Sequence, residues 1–122
     1  MKLMQKLFLI TGFFIACATL AEAHAFLDHA EPKVGSTLKG SPTAVKIWFT
    51  MEVQGALSKM EVFNAQGDEV DLKDAKVDAA DKTLMVVSVP KLPAGTYKVV
   101  WHAVCPWGHH TTGNFSFKVT ES

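Results

Sequence analysis

The sequence predicts an all-β domain, an immunoglobulin-like β-sandwich of about seven strands. Three observations carry that expectation. Short segments from Ala44 onward are rich in β-branched and aromatic residues and alternate apolar with polar side chains. Clusters of Gly, Pro and Asn punctuate them at regular intervals. No stretch of the chain past its first residues carries a helical pattern of useful length. Period-two segments divided by turn residues are the signature of an antiparallel sheet, and about seven of them in roughly 100 residues fit a sandwich.

The first 23 residues are set apart from that domain. Lys2 and Lys6 supply a positive start, residues 7–20 run without a charge, and Ala21-Glu22-Ala23 is a small-x-small cleavage pattern. A helix that crosses a bilayer needs about 20 apolar residues, so this shorter run reads as a cleaved signal peptide. The expected mature domain is residues 24–122, without membrane insertion, beginning His24-Ala25-Phe26. The alternative is a lipoprotein box at residues 14–17, which would put lipid on Cys17.

Within the domain, Val45, Ile47 and Phe49 alternate with Lys46 and Trp48, and Met60-Glu61-Val62-Phe63 leads into a turn at Asn64-Ala65-Gln66-Gly67. Residues 83–89 form an apolar run of strand length, and Pro93-Ala94-Gly95 is a turn signal before residues 96–104. In that strand Tyr97, Val99, Trp101 and Ala103 share a face. Phe115, Phe117 and Val119 alternate with Ser116 and Lys118. The acidic segment 68–82 reads as a solvated loop rather than a cation site, because no Asp-x-Asp-x-Asp-Gly pattern occurs.

The charge balance excludes one class of partner. Twelve lysines offset twelve acids and there is no arginine, so the chain lacks the clustered positive face that nucleic acid requires. Cleavage would remove Lys2, Lys6 and Glu22 and leave a net charge of −1. It would also leave Cys105 as a single thiol, which cannot form an internal disulfide and reads as a buried small hydrophobe.

The five histidines are His24, His29, His102, His109 and His110, none of them between residues 30 and 101. After cleavage His24 would carry a free α-amine beside its imidazole. The amine nitrogen and Nδ1 can close a six-membered chelate ring on one metal, and nitrogen-rich tetragonal sites favour Cu(II). The amine has an ordinary pKa of about 7.7–8.0, so copper must displace a proton and affinity is expected to rise with pH. His109 lies in a loop between two strong strands, where binding residues commonly sit. Adjacent strand residues face opposite ways, so only one of His109 and His110 is expected at a given site. His29 and His102 read as surface residues, His102 alternating away from Trp101.

These features together resemble the CopC family of periplasmic copper-resistance proteins, including its YobA-type members. The matching segments are His24-Ala25-Phe26-Leu27-Asp28-His29-Ala30-Glu31-Pro32-Lys33-Val34-Gly35-Ser36, then Val45-Lys46-Ile47-Trp48-Phe49-Thr50, then residues 95–102, His109 and residues 113–119. The resemblance implies a Greek-key sandwich in the periplasm. It also implies a Cu(II) site made by the N-terminal His amine and imidazole with an Asp and a His of the late loop. His24 and His109 match the two histidines. Trp107 stands where the family loop, approximately S-x-D-x-H, has its Asp, and Cys105 stands at the Ser.

Three consequences of Trp107 stay open. The centre can be a histidine brace with an open equatorial position, His110 or Asp28 can supply the missing ligand, or binding is weakened or lost. Loss of a carboxylate raises the charge of the complex and favours Cu(I) relative to Cu(II). Met51, Met60 and Met85 form no Met-x-Met run and read as packing residues, not as a second Cu(I) site. The function implied is to buffer or deliver copper, with an inner-membrane copper transporter as partner. A histidine-brace copper oxidase and an Ig-like interaction module without metal are the alternatives.

Overall fold

A computed structural model describes residues 25–122. The expected signal peptide, residues 1–23, and His24 lie outside the described residues. Eight strands follow in order: β1 (Leu27–Glu31), β2 (Thr37–Lys39), β3 (Ala44–Phe49), β4 (Lys59–Phe63), β5 (Lys76–Val77), β6 (Leu84–Ser88), β7 (Gly95–Val104) and β8 (His110–Thr120). They form two four-stranded sheets, ordered β1-β3-β6-β5 and β2-β8-β7-β4. Every pairing is antiparallel except β2 with β8. No α-helix occurs among the described residues.

The alternation read from the sequence places the core. β3 buries Val45, Ile47 and Phe49, β6 buries Met85 and Val87, and β4 buries Met60 and Val62. From the other side β7 adds Tyr97, Val99, Trp101 and Ala103, and β8 adds Phe115, Phe117 and Val119. Removing such side chains from water stabilises the fold by about 1.5–3 kcal/mol each, which drives the two sheets face to face. Met60 and Met85 are core residues and Met51 packs against the core, in keeping with their scattered spacing.

Two details exceed the expectation of about seven strands. β2 is three residues long and joins the edge of its sheet parallel to β8. β5 is two residues long and lies inside the acidic segment that reads as a loop. The rest of that segment is irregular, and its carboxylates hold turns. Asp74 accepts from the Ser88 N–H at 2.8 Å, Asp78 from Ala80 and Asp81 N–H, and Asp81 from both the N–H and hydroxyl of Thr83. Asp71, buried, accepts from the Val62 N–H at 2.8 Å and the Lys73 N–H at 2.9 Å. Carboxylates spent on backbone donors in this way are structural.

At the start of β7 the Tyr97 hydroxyl donates to the Pro93 carbonyl at 2.5 Å. This is the tyrosine corner of Ig-like sandwiches, where a phenol ties a strand to the loop before it. Burial pushes the phenol pKa up, so it stays protonated and keeps donating.

Candidate metal centre

The late histidines are positioned by the β7–β8 hairpin. Its ladder runs from Gly95 opposite Val119 to Val104 opposite His110. The connection is short: Gly108 N–H donates to the Cys105 carbonyl at 2.9 Å and Cys105 N–H to the His109 carbonyl at 3.0 Å. Pro106 presets the first turn position, and Gly108 takes a left-handed φ of 85°. A turn of this kind closed by a left-handed glycine is a common three-residue hairpin connection. Trp107 occupies its tip and is 71% exposed. The indole thus stands in solvent and not in the core.

The loop between β3 and β4 clamps the same end. Gln54 N–H donates to the Val104 carbonyl at 2.7 Å, and the Gln54 side-chain amide to the Cys105 carbonyl at 2.8 Å. Val104 N–H donates to the Ser58 hydroxyl at 3.0 Å. Cys105 beneath this clamp is a free, fully buried thiol, as its reading as a small hydrophobe requires.

The beginning of the described chain reaches this end of the sandwich. The Thr111 hydroxyl donates to the Ala25 carbonyl at 2.5 Å across 86 positions of sequence. Phe26 N–H donates to the Thr50 hydroxyl at 3.0 Å, and Thr50 N–H returns a bond to the Phe26 carbonyl at 2.8 Å. Ala25 is buried. The segment before β1 is therefore fastened between the end of β3 and the start of β8. His109 immediately precedes β8, its carbonyl accepting from the Cys105 N–H, and within β8 Thr111 lies on the side on which Phe115 and Phe117 face the core.

The other candidates are placed as follows. His110 falls on the opposite side, where its Nδ1 lies 2.8 Å from Nε2 of His102. Asp28 lies on the β1 edge and accepts from Nδ1 of His29 at 2.7 Å. His29 stacks flat on Trp48 with ring centroids 4.4 Å apart. A register irregularity between Leu27 and His29 in the β1–β3 pairing means that ideal alternation does not describe where His29 faces. Among the described residues no group of three or more His, Cys, Asp or Glu side chains could hold a metal ion. His24, the candidate that would add two nitrogens, lies outside the described residues.

The His102–His110 pair is the feature that sequence reasoning missed. A three-residue loop at residues 106–108 sets His102 across from Thr112 and His110 across from Val104, so the two rings meet diagonally on one face. Counting outward from Pro-Trp-Gly would have paired them.

A family model of the CopC domain matches residues 27–120. The chain belongs to the CopC family. The CopC domain here is 30% identical over 126 residues to copper resistance protein C of Escherichia coli, covering 98% of this chain and 99% of that one. Protein YobA of Escherichia coli strain K12 is 32% identical over 98 residues, 80% of this chain and 79% of that protein. The copper transport protein CutJ of Bacillus subtilis is 30% identical over 108 residues, 88% of this chain, but the match spans only 20% of CutJ. Among solved structures, CopC from Methylosinus trichosporium OB3b superposes with a TM-score of 0.76 at 28% identity, covering 80% of this chain and 95% of that one. PcoC, a methionine-rich copper resistance protein from Escherichia coli, superposes at 0.69 with 30% identity, covering 80% and 100%. The β-sandwich is therefore the family's own fold.

Proposed function

We propose that this CopC domain is exported to the periplasm and there binds copper, to buffer it or to hand it to a membrane copper transporter, without turnover. Its relatives include proteins named for copper resistance and copper transport. The observation that carries the reading is the Thr111–Ala25 bond. It fastens the residue next to His24 at the start of β8, two positions from His109. Processing after Ala23 would make His24 the N-terminus, and the amine, its imidazole and the His109 imidazole would then form the copper centre.

The donor set suits a carrier. Asp28 is engaged by His29 and His110 by His102, so neither replaces the family Asp without breaking a contact. Trp107 brings no donor to the loop tip. Three nitrogens with one equatorial position open to water let copper exchange with an incoming ligand. The loss of one negative charge weakens Cu(II) relative to Cu(I).

Titration of the processed protein with Cu(II) tests this reading, beside a form carrying one additional residue ahead of His24. The processed protein is expected to take up one tight equivalent, and the extended form to lose it because its amine has become an amide. Equal uptake by both forms would move copper away from the N-terminus and defeat the proposal.

A further inference from the structure

The geometry points to a second metal station on this domain, formed by His102 and His110 and accepting a divalent d-block ion. It is separate from the proposed His24–His109 centre and does not rest on it. The two rings come from neighbouring strands of one sheet and are fixed by the continuous β7–β8 register. Nε2 of His102 and Nδ1 of His110 are 2.8 Å apart, with ring centroids 5.0 Å apart and planes inclined by 67°. The rings thus meet nitrogen to nitrogen rather than stacking. Two nitrogens each about 2.0–2.1 Å from one ion, at right angles, stand about 2.9 Å apart. A tetrahedral ion sets them about 3.3–3.4 Å apart, so the two rings, now aimed at each other, admit a metal by turning and parting by about half an ångström.

The protonation chemistry is compatible. With both rings neutral, one nitrogen of the facing pair donates and the other accepts. Binding requires that the donor ring take its other tautomer, which moves its proton to the far nitrogen. Both facing nitrogens then offer lone pairs, and no net proton is released. Imidazole suits Zn(II), Cu(II) and Ni(II) alike.

The surroundings favour an exchangeable ion. His110 is exposed and His102 half-buried, so the pair is reachable from water. Thr112 stands across from His102 on β8, and Lys59 across from it on β4. Lys59 adds a positive charge at the rim, and Glu61 lies two residues further along β4. Two protein ligands leave the other positions to solvent.

The test is Zn(II) titration of the processed, histidine-15N-labelled protein, read from imidazole nitrogen shifts. The expected result is metal-bound shifts at Nε2 of His102 and Nδ1 of His110. They should be absent from His102→Gln and His110→Gln and retained in His109→Gln. If either variant fails to fold, the two nitrogens of the unaltered protein decide the matter by themselves. No response at these nitrogens at saturation overturns the proposal. So does a response that His109→Gln abolishes, since the pair would then belong to the His24–His109 centre. A response at the pair alone, with His109 silent toward copper, supports the second station and counts against the reading above.

Discussion

Gly113 shows how tightly one position is constrained by its neighbour across the strand. It faces Trp101 in the β7–β8 ladder, and a Cβ built there would lie 2.4 Å from the indole Cζ2 and 2.7 Å from Cε2. The indole cannot step aside, since it is buried and edge-on to Phe49 at 5.3 Å. Gly113→Ala is therefore expected to cost about 1–3 kcal/mol through overpacking, seen as a lower urea midpoint at unchanged slope. Trp107 is the opposite case, exposed at a turn tip where substitution disturbs little. Trp107→Asp restores the carboxylate of the family loop, and it is expected to raise Cu(II) affinity by about tenfold or more, which is roughly 1.4 kcal/mol. Competition with a copper chelator measures it, and an unchanged affinity would mean that the loop tip does not reach the metal. The departure at Trp107 was legible in the sequence, which also supplied His24 and His109 as candidates. The contact between His102 and His110 went unread, because it follows from hairpin register, which must be counted outward from Pro-Trp-Gly rather than from the spacing of the histidines.

At the scale of elements, the β7–β8 hairpin and the acidic segment behave differently. Alternation marked the arms of the hairpin at residues 96–104 and 115–119, while β8 begins at His110, within what reads as a loop. The acidic segment reads as a loop in sequence because its bonds are made by side chains. Asp71 reaching under β4 to Val62, or Asp74 reaching Ser88, leaves no periodic trace. These bonds make the segment sensitive to acid. The Ser88 hydroxyl and N–H hold Asp74 below the usual carboxylate range, and the Thr83 hydroxyl and N–H do the same for Asp81. A carboxyl whose folded pKa is depressed contributes stability above its unfolded value, about 3.9, and loses it as pH falls through the folded value. Stability should thus be flat above about pH 5 and decline below about pH 4. Urea midpoints across that range should show Asp81→Asn as the weaker protein near neutrality, the gap closing toward about pH 3.

For the whole molecule, folding joins the start of the described chain to its last hairpin. Burial of the inner faces sets the sheets together. The Thr111–Ala25 bond and the Phe26–Thr50 pair then fasten the segment before β1 onto the end that carries His109. The sandwich itself was foreseeable, since period-two segments and turn residues are local properties. A bond spanning 86 positions is a property of the completed fold, so the meeting of the two ends is suggested by sandwich topology and the resemblance, not by any local pattern. The most direct measurement is the EPR spectrum of the processed protein with one equivalent of Cu(II), using 15N-labelled histidine to identify the bound nitrogens. The account predicts a tetragonal spectrum with coupling to two imidazoles and an amine, one imidazole disappearing in His109→Ala. A spectrum that His109→Ala leaves unaltered, or one without the amine nitrogen, would contradict it.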